Sequence, residues 1–297
     1  MYKHILTGLF TLSALTFIAA PTLAETVMEK VKRTGILTAG TSRDALPFAY
    51  ENEEGKLVGY SIDMLKLIEA RLEQELNQEI TLQLIAVAPK ERIPSILKGK
   101  VDIVCDASSF TWERDKQIDF SVSYGITGTR LLVKKGTDLT TAESLKGKKI
   151  GALAKTTNEI AIKKAQPEAE IVLFPDRQTA YEAINRQEID AFASDGILLE
   201  GWLQSIKNAE DYDILGYYSQ EGIACMVPEN NSKFLDNVNY SLVDFMQDFL
   251  EEEPEAMAIF DRWFGYNGII TLSQDLRDLV IESMRLVIEF KEPISDD

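Results

Sequence analysis

Residues 101–135 read VDIVCDASSFTWERDKQIDFSVSYGITGTRLLVKK. Val101–Asp106 is an apolar run of strand length, Ala107, Ser108 and Ser109 form a polar turn, and a short helix follows. Thr111 fits as the N-cap of that helix, with Glu113 and Arg114 in its first turn. A cation there opposes the helix dipole. Arg114 therefore reads as serving something other than its helix. An anion over the strand end, held by a planar guanidinium fork and neighbouring hydroxyls, suits it. A solvated surface arginine is the plain alternative.

Upstream, Ile36–Gly40 predicts a strand, Thr41–Pro47 a polar loop and Leu57–Tyr60 an extended return. Ser61 fits as the cap of a helix whose Leu65, Ile68, Leu72 and Leu76 recur at three and four. Ile80–Val87 is the next strand, Pro89 a break, and Arg92–Leu97 a short helix ending at Gly99. Strands and helices alternating through short joins imply an α/β fold with parallel sheets and right-handed crossovers. Downstream, Gly125–Gly128 fits a crossing point and the alternation starts again. Strands are expected at Arg130–Lys135, Lys149–Leu153, Ile171–Phe174, Ile189–Ser194 and Asp213–Tyr217. Helices are expected at Thr157–Ala165, Thr179–Arg186 and Leu198–Lys207. Gln220–Gly222 fits a second crossing.

Two such sheets joined at these crossings would face each other across a cleft, and open α/β sheets bind ligands beyond the carboxyl ends of their strands. Ser109 and Arg114 follow the third strand of the first lobe. Thr156 and Thr157 stand at a helix start in the second lobe, where unpaired N–H groups suit a carboxylate. Asp195 follows that lobe's third strand. An α-amino acid needs donors on one side and a carboxylate on the other, and this set supplies both. Thr157 as a mere helix cap and Asp195 as a mere helix start are the plain alternatives.

Asp102, Ser109, Arg114, Asp119-Phe120-Ser121, Tyr124 and Leu131-Leu132-Val133, taken together, resemble the signature of periplasmic polar-amino-acid-binding proteins. These are the family-3 solute-binding subunits of ABC transporters. RIPSILKGKVDIVCDASSFTWER, then GTRLLVKKG and GIACMVP, are similar to the glutamate/aspartate-binding branch, over roughly Gly35 to Gly265. The resemblance implies a two-lobed periplasmic-binding-protein fold of type II, each lobe a mostly parallel sheet flanked by helices, with two crossover strands. It implies lobe one at 25–125 plus 222–265 and lobe two at 126–221, with a helical extension at 266–297. Phe234–Leu250 and Glu255–Phe264 are similar to the family's closing helices.

By the same resemblance Arg114 pairs with the ligand α-carboxylate, with Ser109 and Thr157 as hydroxyl donors. Asp195 receives the α-ammonium. Arg92 matches an arginine that meets the ligand side chain. Two positions depart from the branch: Ser42 stands where it has an arginine, and Arg177 where it has a histidine. Arg92 and Arg177 are assigned to the side-chain end, against the plain readings of a surface helix arginine and a loop charge. If the strands holding Cys105 and Cys225 are antiparallel neighbours, those cysteines form a disulfide, which suits an oxidising compartment.

The chain has 297 residues and a net charge of −17. That is long enough for two domains of about 100–200 residues. Residues 1–24 read as a signal peptide, with Lys3, an apolar run and a Thr22/Ala24 cleavage site, and predict periplasmic export. Removing it takes one lysine and no acid, so −17 becomes −18. The acidic balance argues against nucleic acid. The sole histidine, His4, falls in that segment. Histidine-based nucleophile pairs and histidine-ligated zinc are thereby excluded from the mature chain, and no cofactor or metal is expected. Leu276, Leu279, Val280, Met284, Val287 and Ile288 make one apolar stripe. Docking on the body is favoured over dimerisation, because a long exposed stripe is a liability.

The resulting expectation is a monomeric, non-enzymatic receptor that closes on glutamate or aspartate and presents it to an ABC permease. An enzyme on the same fold would need a carboxylate general acid, for example Asp106 or Glu159. A ligand sensor for a signalling receptor is a further alternative.

Overall fold

The computed structural model describes residues 25–289. The expected signal peptide at 1–24 and the last part of the expected extension, 290–297, lie outside the described residues. The chain first builds α1 (Val27–Thr34), β1 (Ile36–Thr41), β2 (Asp44–Ala45), β3 (Ala49–Glu51), β4 (Leu57–Val58), α2 (Tyr60–Leu76), β5 (Thr81–Ala86), α3 (Arg92–Leu97), β6 (Ile103–Val104), α4 (Trp112–Asp115) and β7 (Asp119–Thr127). The second lobe holds β8 (Thr129–Lys134), β9 (Lys149–Leu153), α5 (Thr157–Ala165), β10 (Glu170–Phe174), α6 (Arg177–Asn185), β11 (Ala191–Asp195), α7 (Gly196–Ser205) and β12 (Tyr212–Leu215). The chain then returns through β13 (Glu221–Val227) to α8 (Ser232–Leu250), α9 (Pro254–Phe264) and α10 (Gln274–Glu289).

Each lobe centres on a five-stranded sheet, ordered β5-β1-β6-β13-β7 in lobe one and β10-β9-β11-β8-β12 in lobe two. In each, the first three strands are parallel, the fourth (β13 or β8) runs against them and the fifth (β7 or β12) runs with them. Side chains alternate across a strand. Along β8, Leu131 and Val133 therefore join one apolar cluster of lobe two, and Leu132 the other. Leu65, Ile68 and Leu72 of α2 are fully buried in the larger core of lobe one.

Two local expectations shift. The strand expected over Val101–Asp106 is reduced to Ile103–Val104, because Asp102 uses its carboxylate as well as its backbone. It accepts from Thr38 N–H at 2.9 Å and from Lys30 Nζ at 2.7 Å. Helix α2 begins at Tyr60 behind Gly59, not at a Ser61 cap. Ser61 Oγ instead lies 2.7 Å from Tyr124 Oη. Gly59 has φ 149°, and a Cβ there would lie 2.1 Å from Phe48 O, so only glycine fits.

The lobes join at two adjacent crossings. A Cβ at Gly128 would lie 2.1 Å from Ser219 O. Cys105 and Cys225 are bonded, with Cα atoms 4.4 Å apart, and both are fully buried. They flank the antiparallel pairing of β6 with β13. Helix α10 packs on α8 and β7, with Val280 and Met284 buried in the core of lobe one. The chain before it touches lobe two, where Thr271 N–H donates to Gln204 Oε1 at 3.2 Å. Among the described residues, no helix is long and apolar enough to cross a membrane.

Candidate functional site

The carboxyl ends of both sheets converge where the lobes meet. Arg177, opening α6 in lobe two, reaches Asp44 in lobe one, with Nη1 2.8 Å from Oδ1. Its backbone N–H donates to Asp44 Oδ2 at 3.0 Å. Arg114 donates to the Ser109 carbonyl at 2.7 Å within its own lobe and to the Lys155 carbonyl at 3.1 Å across the gap. Ile197 and Leu198 of α7 pack into the core of lobe one. The lobes are therefore closed on one another. A cavity of about 200 Å³, lined in part by Pro89, Arg92, Arg114 and Lys155, lies at this junction.

Arg92 is buried, not a surface arginine. Its Nη2 lies 2.6 Å from Asp106 Oδ2 and donates to Ser42 Oγ at 3.0 Å. Ser42 in turn donates to Asp106 at 2.8 Å. Serine at this position leaves Asp106 matched by a single arginine. Arg177 is likewise buried rather than a loop charge. Burial works against its cation, but Asp44, helped by Tyr181, Asp195 and Asp106, outweighs that and holds the Arg177 pKa above its usual value. Burial likewise acts to raise the Asp44 pKa, and Arg177 outweighs it, so the carboxyl sits below the usual range. Arg114 is pinned by carbonyls alone, and burial, reinforced by nearby Arg92, lowers its pKa.

Asp195 ends β11, fully enclosed. Burial, and then the Glu221 charge, push its pKa up to about 6, against the pull of Arg177, Arg92 and a hydrogen bond from Asn158. Of the threonine pair, Thr156 is the cap of α5. It accepts from Glu159 N–H at 3.3 Å and donates to Leu153 O at 2.7 Å. Thr157 is the first helical residue, half-buried. The cap therefore falls one residue earlier than the plain reading of Thr157 supposes. Ser109 is buried and bridges Ile223 of β13.

Buried polar atoms almost always find partners, and leaving one unpaired costs about 1–3 kcal/mol. Among the described residues, the buried side-chain atoms without one are Arg92 Nε, Thr127 Oγ1, Arg177 Nε, Asp195 Oδ1, Tyr218 Oη and Glu221 Oε2. Arg92, Arg177, Asp195 and Glu221 sit close enough for each of the other three to act on the Asp195 carboxyl. Unused donors and unused acceptors thus lie within electrostatic reach of Asp195. Asp44, Glu221, Asn158 and Thr127 escape the sequence reading. Glu221 and Thr127 lie in the segments read as mere crossings. Asp44 lies in a stretch read as a polar loop.

The two carboxylates considered as general acids are both engaged. Asp106 is paired with Arg92 and hydrogen-bonded by Ser42 and Ser108. Glu159 accepts from Lys155 N–H at 2.8 Å and meets Lys163 Nζ at 2.5 Å. Among the described residues, no cluster of metal-ligating side chains occurs.

A family model described as bacterial extracellular solute-binding proteins, family 3, matches residues 37–266. The glutamate/aspartate import solute-binding protein of Salmonella typhimurium is 31% identical over 247 residues, 81% of this chain and 80% of that one. The L-glutamate/L-aspartate-binding protein of Pseudomonas aeruginosa is 32% identical over 281 residues, covering 89% and 91%. Among solved structures, an ancestral arginine-binding protein bound to arginine has a TM-score of 0.69 at 30% identity, covering 78% of this chain and 99% of that one. The holo arginine-binding protein ArgBP from T. maritima has a TM-score of 0.67 at 26% identity, covering 79% and 98%.

Proposed function

The chain belongs to the family-3 bacterial extracellular solute-binding proteins, and from that footing we propose that it is the periplasmic receptor of an ABC amino-acid importer, selective for glutamate or aspartate. The observation that carries this is a set of buried, unpartnered groups: N–H donors of Arg92 and Arg177, and carboxylate acceptors of Asp195 and Glu221. A zwitterion satisfies both. Arg114 takes the α-carboxylate, aided by Ser109 and by Thr157 at the start of α5, and Asp195 takes the α-ammonium. The Nε–H groups of Arg92 and Arg177 face the side-chain end. Because Asp106 and Asp44 already pair those arginines, their free donors suit a side-chain amide as well as a carboxylate. The acidic choice rests on what the relatives are named for. No bond is made or broken; the ligand touches both lobes and stabilises the closed form by hinge bending. The closed receptor is then presented to its permease.

Calorimetric titration of the mature protein with the common amino acids tests this. One-to-one binding of glutamate or aspartate is expected, with loss of uptake on gene deletion. Binding of no α-amino acid overturns the reading. Strong preference for a neutral or basic one overturns the acidic assignment alone.

A further inference from the structure

Glu221 opens β13, on the strand that returns from lobe two, and nothing in the pairing of α-carboxylate with Arg114 or of ammonium with Asp195 requires it. Its Oε1 is fixed, with Ser219 Oγ at 2.5 Å. Ser219 is itself held by the Thr129 N–H at 2.9 Å and lies 2.8 Å from Thr129 Oγ1. Thr129 Oγ1 accepts from Asn158 Nδ2 at 3.0 Å, and Thr129 stands directly opposite Asp195 in the β11–β8 ladder. That chain of hydrogen bonds fixes Glu221 beside the rung of the ladder that ends in Asp195, and one oxygen of each carboxylate, Glu221 Oε2 and Asp195 Oδ1, is buried and unused. A third unused acceptor, Thr127 Oγ1, belongs to the residue directly opposite Glu221 in the β13–β7 ladder. Directly opposed residues project to the same face of a sheet.

Two carboxylates enclosed together repel, and each unpaired oxygen costs desolvation. A cation between them removes both penalties at once. A primary ammonium carries three N–H donors in a compact head, and three acceptors stand free.

We propose that Glu221 is a ligand-binding residue whose Oε2, with Asp195 Oδ1 and Thr127 Oγ1, completes a three-acceptor socket for the ligand's α-ammonium. The inference rests on the amino-acid reading above and extends it: the socket admits α-amino acids and discriminates against the corresponding acids that lack the amino group. It also places part of the ligand's grip on the strand about which the lobes turn.

The test is calorimetry of wild type and Glu221→Gln with glutamate and with glutarate, together with melting of both proteins without ligand. Glutamine keeps an acceptor for Ser219 and removes the charge. The substitution is expected to weaken glutamate at least tenfold and leave glutarate no weaker than before. The ligand-free melting temperature should not fall, since a repulsion with Asp195 has been removed. Unchanged glutamate affinity overturns the proposal, as does parallel weakening of glutarate. A variant that melts several degrees lower has lost a structural residue, which also overturns it. A wild type that binds basic amino acids best, with only those weakened by Glu221→Gln, assigns Glu221 to a side-chain cation instead. A wild type that binds no amino acid sinks the underlying reading and the socket with it. Binding by wild type that Glu221→Gln leaves intact sinks the socket alone.

Discussion

Asp44 in lobe one and Arg177 in lobe two hold each other through two separate groups of the arginine, the guanidinium at 2.8 Å and the backbone N–H at 3.0 Å. The backbone bond lies at the first turn of α6, so the carboxylate also meets the positive end of a helix. Neither contact survives separation of the lobes. This pair therefore reports closure directly.

Asp44→Ala leaves Arg177 enclosed without its counterion. Breaking a buried pair costs about 3–5 kcal/mol, and the part-exposure of Asp44 reduces this. Ligand affinity is expected to fall at least tenfold, and small-angle scattering with saturating ligand should still show closure. The pH sign is that of a depressed acid. The pair's contribution is complete above the ordinary aspartate range and is lost as pH falls through the lowered Asp44 value. If Asp44→Ala binds as tightly as wild type, the latch carries no weight.

Asp195 titrates in the opposite sense. Its pKa is raised to about 6, so between roughly pH 4 and 6 the folded protein binds the proton that an unfolded chain, at about 3.9, releases. The ligand-free protein therefore loses stability from this group as pH rises across that window. An incoming ammonium needs the ionised form. Amino-acid affinity should fall as pH drops below about 6, and binding at pH 5 should release protons. Calorimetry in buffers of different ionisation enthalpy measures the release. In Asp195→Asn, binding should be at least tenfold weaker and the release should disappear.

Arg114→Ala is expected to abolish binding of every amino acid tested while the protein stays folded, because its contacts are only carbonyls. Arg114→Lys keeps the charge but loses the planar fork, and should bind at least tenfold more weakly. Arg92→Ala behaves differently. It strands Asp106, fully buried and paired at 2.6 Å, and should lower the melting temperature before it says anything about selectivity. Normal calorimetric titration of Arg114→Ala would remove the site assignment.

The Cys105–Cys225 bond closes a loop with a sequence separation of 120. Loop-closure arguments for a bridge of that span give about 2–5 kcal/mol. Replacing both cysteines by serine should lower the denaturation midpoint accordingly and leave ligand affinity nearly unchanged, since both sulfurs lie in the core of lobe one. A double variant with unchanged stability would show that the bridge is energetically idle.

The alternation of strands and helices and the strand-end positions of Arg114 and Asp195 are legible because they are local patterns. What the sequence hides is pairing. Arg92 and Arg177 read as two free cations for an acidic side chain, and nothing in their neighbourhood announces Asp106 or Asp44, which reach them through tertiary contacts. Ser61 looks like a helix cap because its residue type and position suit one, yet its hydroxyl goes to Tyr124 on β7. Glu221 sits in three residues read as a connector, where a carboxylate looks like a solvated charge.

The near-contact of Gly128 with Ser219 means the chain leaves lobe one and re-enters it at almost the same point. Lobe two is thus an excursion with adjoining ends, the arrangement that tolerates excision or insertion. Closing the gap with a short turn would leave the sheet order of lobe one and its crosslink uncut. Lobe two, lifted out, would carry its own sheet and both of its apolar clusters with it. The seam marks off two sheet-bearing units that still share the seat of Ile197 and Leu198 in the core of lobe one, and the cleft is what their combination adds.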